Sequence, residues 1–504
     1  MPTNMPVVNP EDLLPSDAEN AKLLETTEHP RRVYTLTGDP EIVAVAFAKC
    51  SRSPKPFDEN LEEVSGASAA EFHEKWVVGY GHGSVAEHAT LHVAFENVSN
   101  IAVKVIEDNR LGSYTEKSTR YQVIDKNRYV TPANVAASSL GARYKETIDH
   151  LFDVYASMFE PLTAYMQAKF PKSEKASPKL YAAQTKARVC DVARYLLPAA
   201  TMTNLGMTAN ARAFEWAITK GLSHPLEEVR AMAAELKETC LKVTPTLVKY
   251  ADPNAYLQES RAALQAVTDD WTASLPSPDE VPPVAIVEYE QHALEKIVAA
   301  LLYKHSNHPF AQIFERVKIM PREEKERIVH AALSARGPHD QPIREFEHAS
   351  YTFDILMDYG AWRDVQRHRM ASQTNQNVTT AHGYIVPEEI TAIGKEAEYR
   401  AALEKARELH DAMITGGLRE EAQYVVPMGY KKRVLMTWNL RELHHFIPLR
   451  SGKKGHPSYR LIAQQCWQEV ARVHPFLASF IRVDMSQEHV STIGTKVKSD
   501  AAIE

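Results

Sequence analysis

The sequence predicts an α+β protein made of two tandem copies of one module, each a mixed sheet with long helices, together forming a pseudo-dimer. Three observations predict it. Matching phrases stand near the end of each half, strand-like phrases recur upstream in the same order, and long helical patterns separate the strand-like runs.

In chain order, the first match pairs VYTLTGDPEIVAVAFAKCS with AIVEYEQHALEKIVAALLYKHS, each reading as a strand followed by an amphipathic helix. Next, EHATLHVAF from Glu87 parallels EHASYTFDI from Glu347. Both alternate apolar and polar residues, as a half-buried strand does, because successive side chains point to opposite faces. Each copy then reaches an Arg within a polar turn, Arg110 and Arg369. YLLPAATMTNLGMTANAR (Tyr195 to Arg212) matches YVVPMGYKKRVLMTWNLR (Tyr424 to Arg441); a Tyr, two aliphatics and a Pro precede T-x-N-x-R at the same distance in both. His224-Pro225 and His456-Pro457 then open helical patterns. Pro suits a first helical turn, where its missing N–H leaves nothing unpaired.

Long helices are expected over Ala142–Phe170, His224–Val248 and Glu396–Ile414. SLPSPDEVPP, Ser274 to Pro283, holds four prolines and reads as an extended, semi-rigid connector. It divides copy one (30–273) from copy two (284–490). KFPKSEKASPKL in copy one reads as a surface insertion.

A chain of 504 residues exceeds what one hydrophobic core usually organises, and its 44% hydrophobic and 24% charged residues are those of a folded protein. The net charge of −7 argues against a nucleic-acid partner, which needs a basic footprint. A small phosphorylated substrate, held by a local cluster, stays open. Cys50, Cys190, Cys240 and Cys466 stand singly, a spacing that fits neither a zinc site nor a disulfide framework and agrees with a reducing cytosol. The opening MPTNMPVVNPEDLLPSDAEN is polar and Pro-rich, unlike a signal peptide. No apolar run approaches the ~20 residues that span a bilayer. The expectation is a cytoplasmic protein without membrane or metal.

RHRMAS, Arg367 to Ser372, packs two Arg and a His at a helix-to-loop junction after FDILMDYGAWRDVQ. Forked guanidinium donors bind phosphate well, although the same triplet also suits a solvated basic surface. Copy one reads DNRLGSYTEKSTRY there, Asp108 to Tyr121. Glu116, Ser118 and Arg120 occupy alternate positions, so an extended segment points them one way, toward a base edge and a phosphate or simply into a polar turn.

GHGSVAEH (Gly81–His88), this Glu/Ser/Arg segment, ARYLLP and T-x-N-x-R occur in the order seen in flavin-dependent thymidylate synthases, and the chain resembles that family over nearly all of both copies. The family signature, an RHR triplet followed at fixed distance by a Ser, is whole in neither copy. By this resemblance copy two keeps the flavin side: Arg367, His368 and Arg369, with Asn439 and Arg441 at flavin positions, Arg450 at a nucleotide-phosphate position, and His456. It has Asn375, Asn377 and Thr379 where the family has Glu, Ser and Arg, and Gln423 in place of an Arg. Copy one keeps Glu116, Ser118, Arg120 and Arg194 for the nucleotide, and His82, Ser84 and Glu87 for the flavin and folate side. Its triplet has become Asp108-Asn109-Arg110, and the position matching Arg450 lies near Gly221.

The family resembles homotetramers whose sites lie between subunits. A fused pair can therefore concentrate both residue sets in one hybrid site while the opposite site decays. The resemblance implies half as many functional sites as modules, and a homodimer of this chain. It also implies C5 methylation of deoxyuridylate with FAD, and methylenetetrahydrofolate and NADPH as co-substrates; Arg120, Arg194 and Arg450 would grip phosphate, Glu116 and Ser118 the nucleotide, and His82 the folate. Two alternatives stand beside it: flavin chemistry on a different pyrimidine nucleotide, and a non-catalytic binding or scaffolding role. His444-His445 reads as helix surface and core, and SGKKGHP (Ser451 to Pro457) as a solvated turn or a loop over phosphate.

Overall fold

The computed structural model describes residues 32–51, 53–79, 83–174, 177–276 and 281–487. They divide into two compact units, one ending at His88 and the other beginning at Ala89.

In the first unit, Asp39 caps the helix Pro40–Lys49, accepting from Glu41 N and Ile42 N, and Pro40 opens its first turn. Val45, Val64 and Ala69 form a small core with Ile42 and Phe72 packed against it. The strand expected before this helix does not form: residues 32–38 carry no regular structure. The matching strand of copy two, β4 (Val284–Tyr289), exists because it pairs with a neighbour.

The second unit holds two sheets. One has the order β1 (Thr90–Ser99), β3 (Met202–Asn210), β2 (Gly112–Glu116); the other runs β4, β5 (Ser350–Asp358), β7 (Lys431–Asn439), β6 (Ser372–Asn375). Every strand pairing among the described residues is antiparallel, where a mixed sheet was expected. Alternation reveals a strand and its buried face, but not the direction of its neighbours. The repeated T-x-N-x-R phrase closes the central strand and starts a helix in each sheet. Asn210 accepts from Ala213 N at 2.9 Å to cap Ala211–Leu222, and Asn439 accepts from Glu442 N at 2.8 Å to cap Leu440–Ser451. An Asn at this position satisfies an N–H that the helix itself leaves open.

The helix expected over Ala142–Phe170 is two helices, Gly141–Ser157 and Phe159–Lys169. Pro161 has no N–H for the Ser157 carbonyl, so the ladder breaks at Met158. Likewise Glu227–Leu241 stops where Pro245 would have to donate back to Leu241. The third is observed as Glu396–Thr415.

The two tetrapeptides YLLP and YVVP face each other about a local two-fold axis. Ala199 N donates to Val426 O and Met428 N to Leu197 O, both at 2.9 Å; Ala200 N donates to Tyr424 O at 2.8 Å and Gly429 N to Tyr195 O at 2.9 Å. Farther out the reciprocity continues, with Arg110 Nη2 near Ala371 O at 3.4 Å and Arg369 Nη2 donating to Gly112 O at 3.1 Å. Self-complementary pairing of one patch with its copy is the mark of an isologous interface, here closed within one chain. The pseudo-dimer thus places each copy's β2-type strand end beside the other copy's helix preceding the Arg turn.

Candidate active site

Residues of both copies enclose a cavity of about 220 Å³ on one side of this axis. The strand end β2 and the turn after it supply Glu116, Ser118 and Arg120; Arg194 stands at the close of the helix Pro178–Ala193; the helix Tyr359–Val365 and the turn that follows supply Arg363, Asp364 and Arg367. Four guanidiniums face two carboxylates, so the cavity carries excess positive charge.

Each group is held by specific partners. Arg120 is bound in a fork by Asp191, Nε to Oδ1 at 2.6 Å and Nη2 to Oδ2 at 2.9 Å, and its Nη1 reaches Tyr459 Oη at 3.5 Å. Burial works against the Arg120 cation, but the Asp191 bond more than offsets it and keeps the guanidinium charged. Ser118 Oγ accepts from Arg120 N at 3.2 Å. The Glu116 carboxylate is wholly buried, accepting from Lys104 Nζ at 2.8 Å, from Arg367 Nη2 at 3.4 Å, and from Arg363. Burial raises its pKa, yet Arg363, Lys104 and Arg367 together hold it well below the usual carboxylate range. Burial also opposes ionisation of Asp364, but Arg367 and Arg450 bring its pKa down.

Arg194 differs from its neighbours. The residue is 2% exposed, and its Nε and Nη2 have no hydrogen-bond partner among the described residues. A buried cation with two unpaired donors at a cavity wall is suited to an anionic partner.

The structure brings together Glu116, Ser118, Arg120, Arg194 and Arg367. Arg450 lies one layer behind: its Nη1 is 3.7 Å from Asp364, and its Nε donates to His368 Nε2 at 2.9 Å. Burial, then the Arg450 charge, keeps His368 neutral and therefore able to accept. His456 is likewise held neutral, its pKa lowered to about 3 by burial and then by Arg194; it caps the helix Pro457–Val473. Arg369 stacks over Tyr114, 4.4 Å from the ring centre, with its Nε unpaired. Asn439 is used as a helix cap, and Arg441 binds Pro342 O at 2.8 Å and Glu347 at 3.3 Å. Ser84 and Glu87 are exposed in the first unit, and His82 lies outside the described residues. His444 is buried core and His445 exposed surface.

Glu116, expected from sequence as a nucleotide contact, has its oxygens shared among Lys104, Arg363 and Arg367. Sequence reasoning missed Arg363, Asp364, Asp191 and Lys104. Arg363 and Arg367 are four apart in a helical phrase, a spacing that places both on one face and signals a second cation beside the triplet.

The family described as Thymidylate synthase complementing protein matches the chain twice, over residues 32–246 and 285–476. The chain belongs to this family. The two matches flank the Pro-rich segment. A relative within reach of the whole chain is the UPF0159 protein of Chlamydia pneumoniae, 34% identical over 93% of this chain and 94% of its own length. The flavin-dependent thymidylate synthase of Sulfolobus acidocaldarius is 30% identical over 47% of this chain and 81% of its own. Among solved structures, flavin dependent thymidylate synthase from Helicobacter pylori complexed with FAD and dUMP is similar at 18% identity and a TM-score of 0.30, covering 40% of this chain and 100% of that one. No helix among the described residues is long and apolar enough to cross a membrane.

Proposed function

We propose that this chain methylates deoxyuridylate at C5 to give thymidylate, using FAD with methylenetetrahydrofolate and NADPH, at the hybrid cavity within one chain. In the overall change the C5 hydrogen leaves as a proton, and a methylene unit plus a hydride become the new methyl group. When bound, the flavin would supply the redox chemistry and carry the one-carbon unit, while the protein orients and excludes water.

The observation that carries the proposal is the buried Arg194 guanidinium, with Nε and Nη2 unpaired among the described residues, on a cavity wall shared with Arg120 and Arg367. In this reading Arg194 and Arg120 bind the nucleotide phosphate, with Arg450 bracing the wall through Asp364, and Ser118 addresses the nucleotide. The donor chemistry also fits an anionic diphosphate: Arg367 is partly exposed and Arg369 keeps Nε unpaired. These two would hold the flavin's diphosphate. Ser84, Glu87 and His82 belong to the flavin and folate side in this reading, and the working assembly is a homodimer.

The test is release of tritium from dUMP labelled at C5, with FAD, methylenetetrahydrofolate and NADPH supplied. Release that needs the folate and a flavin band that shifts with dUMP support the proposal. A protein that binds FAD and dUMP but releases no tritium refutes methylation and leaves a nucleotide-binding role. Failure to retain FAD at excess refutes the flavin assignment as well.

A further inference from the structure

On the other side of the local two-fold axis lies a larger cavity, of about 660 Å³, walled by the corresponding elements with the copies exchanged. Lys432, the second residue of β7, is on its wall and is 3% exposed. It is one of three buried lysines among the described residues. Lys104 is paired with Glu107 and Glu116, and Lys325 with Glu295 at 2.7 Å. Lys432 has no carboxylate partner among the described residues; its Nζ donates to Gln376 O and lies 4.6 Å above the Trp362 ring. The other charged groups on the wall are Lys104, the Lys220–Asp108 pair at 3.0 Å, and Arg261 on the exposed helix Ala255–Thr272. His224, also on the wall, is kept neutral by burial and then by Arg261.

The twin position in copy one shows that the fold does not need an amine here. β6 pairs Asn375 with Val434, and β2 pairs Glu116 with Leu205. By that register Lys432 corresponds to Thr203, and Gln376 to Lys117. Thr203 Oγ1 donates to Lys117 O at 3.4 Å, the same bond made with a hydroxyl. A neutral donor is therefore enough, whereas burying an ammonium without a counter-charge is costly. The Trp362 face attracts a cation, but more weakly than a carboxylate would in the same place. Desolvation wins: burial lowers the Lys432 pKa to about 7, against about 10.4 for an exposed lysine. One N–H of the unprotonated amine serves Gln376 O, and the lone pair stays free.

We infer that Lys432 is a nucleophilic amine that captures a small aldehyde from this cavity as an imine. The Nζ lone pair adds to the carbonyl carbon, the carbonyl π bond opens, and the nitrogen passes a proton to the oxygen. The resulting hydroxyl leaves as water with a second proton from the nitrogen, and a C=N bond remains. Nothing is oxidised or reduced. A desolvated lysine on a cavity wall is the arrangement this chemistry requires, because an ammonium has no lone pair to offer. The aldehyde must be small, since so little of Lys432 is exposed.

The experiment is reductive alkylation of the full chain with propanal and cyanoborohydride, in which hydride traps each imine. Peptide mass spectrometry reads a rate for every lysine, with the exposed Lys172 and Lys179 as internal references. At pH 7 an ordinary lysine is unprotonated in about one molecule per thousand or fewer, and Lys432 in about half. Lower basicity and restricted access reduce that lead, so an advantage of about tenfold or more over both references is expected. From pH 7 to 9 the Lys432 rate should rise about twofold, while the reference rates rise about a hundredfold. In urea, where burial is lost, the advantage should vanish. Lys432 reacting no faster than the references at pH 7 overturns the inference. So does a rate that climbs with theirs to pH 9, or an advantage that survives in urea. None of these outcomes depends on whether the smaller cavity supports methylation.

Discussion

Replacing Glu116 with Gln separates two roles for this carboxylate, one as a ligand contact and one as the organiser of the cations around it. Its side chain is 0% exposed and faces Lys104, itself 4% exposed, together with Arg363 and Arg367. Arg367 is 42% exposed, so its pairing is solvent-screened and adds little. The weight rests on two buried partners. Removing one member of a buried ion pair typically costs about 3–5 kcal/mol, because the remaining charge stays buried and uncompensated. Lys104 retains Glu107, while among the described residues Arg363 keeps hydrogen bonds to Thr119 and Met428 and has Nε unpaired. The loss is therefore assigned mainly to Arg363, at about 3 kcal/mol. For a unit of this size the unfolding entropy is roughly 0.9 kcal/mol per degree, so the melting temperature falls by about 3 °C. Differential scanning calorimetry of the ligand-free protein reads this directly. The double variant Glu116→Gln with Arg363→Met should recover most of the loss, since an apolar replacement of both partners is close to neutral. A single variant that melts like the parent protein but binds dUMP more weakly refutes the reasoning and makes Glu116 a direct nucleotide contact.

Two further predictions concern packing and pH. A Cβ on Gly221 would sit 2.6 Å from Ala233 Cβ, so Gly221→Ala forces apart the helices Ala211–Leu222 and Glu227–Leu241. The overpacking, about 1–3 kcal/mol, exceeds the gain in helix propensity, and the urea midpoint should fall. Burial lowers the Lys432 pKa to about 7. Between that value and the ordinary lysine pKa, near 10, the unfolded chain binds one more proton than the folded one, so this group makes stability rise with pH across that window. Relative to Lys432→Met, the parent protein should gain stability between pH 7 and 10; identical slopes would contradict the assignment.

Much of the fold is legible in the chain. The T-x-N-x-R phrases foretell strand ends and helix caps because capping is a local bond between an Asn and an N–H three residues on. Alternation foretells β1 and β5 for the same local reason. What escapes is anything decided by a distant neighbour. Residues 32–38 read like the strand at Val284, yet only the latter finds a partner edge. Glu116 looks like an open acceptor until Lys104 and Arg363 are brought to it from a neighbouring helix and from the other copy. Pro161 carried a readable break, but apolar periodicity on either side hid it. At the site, the guanidiniums of copy one and the triplet of copy two were visible as residue types.

The Tyr-x-x-Pro seam also has a consequence for assembly. In a dimer of separate chains, the corresponding contact must be made by collision, and at micromolar protein dilution alone opposes it by about 8 kcal/mol. Here Pro198 and Pro427 are on one chain and stand opposite each other, held by the Ala199 N to Val426 O and Met428 N to Leu197 O bonds beside them. Closing a loop of that length has a logarithmic entropic penalty of about 5 kcal/mol plus a constant, and it does not change with concentration. The seam should therefore form as a first-order event and survive dilution, so the hybrid cavity stays assembled at scarce cellular levels where a two-chain version would come apart.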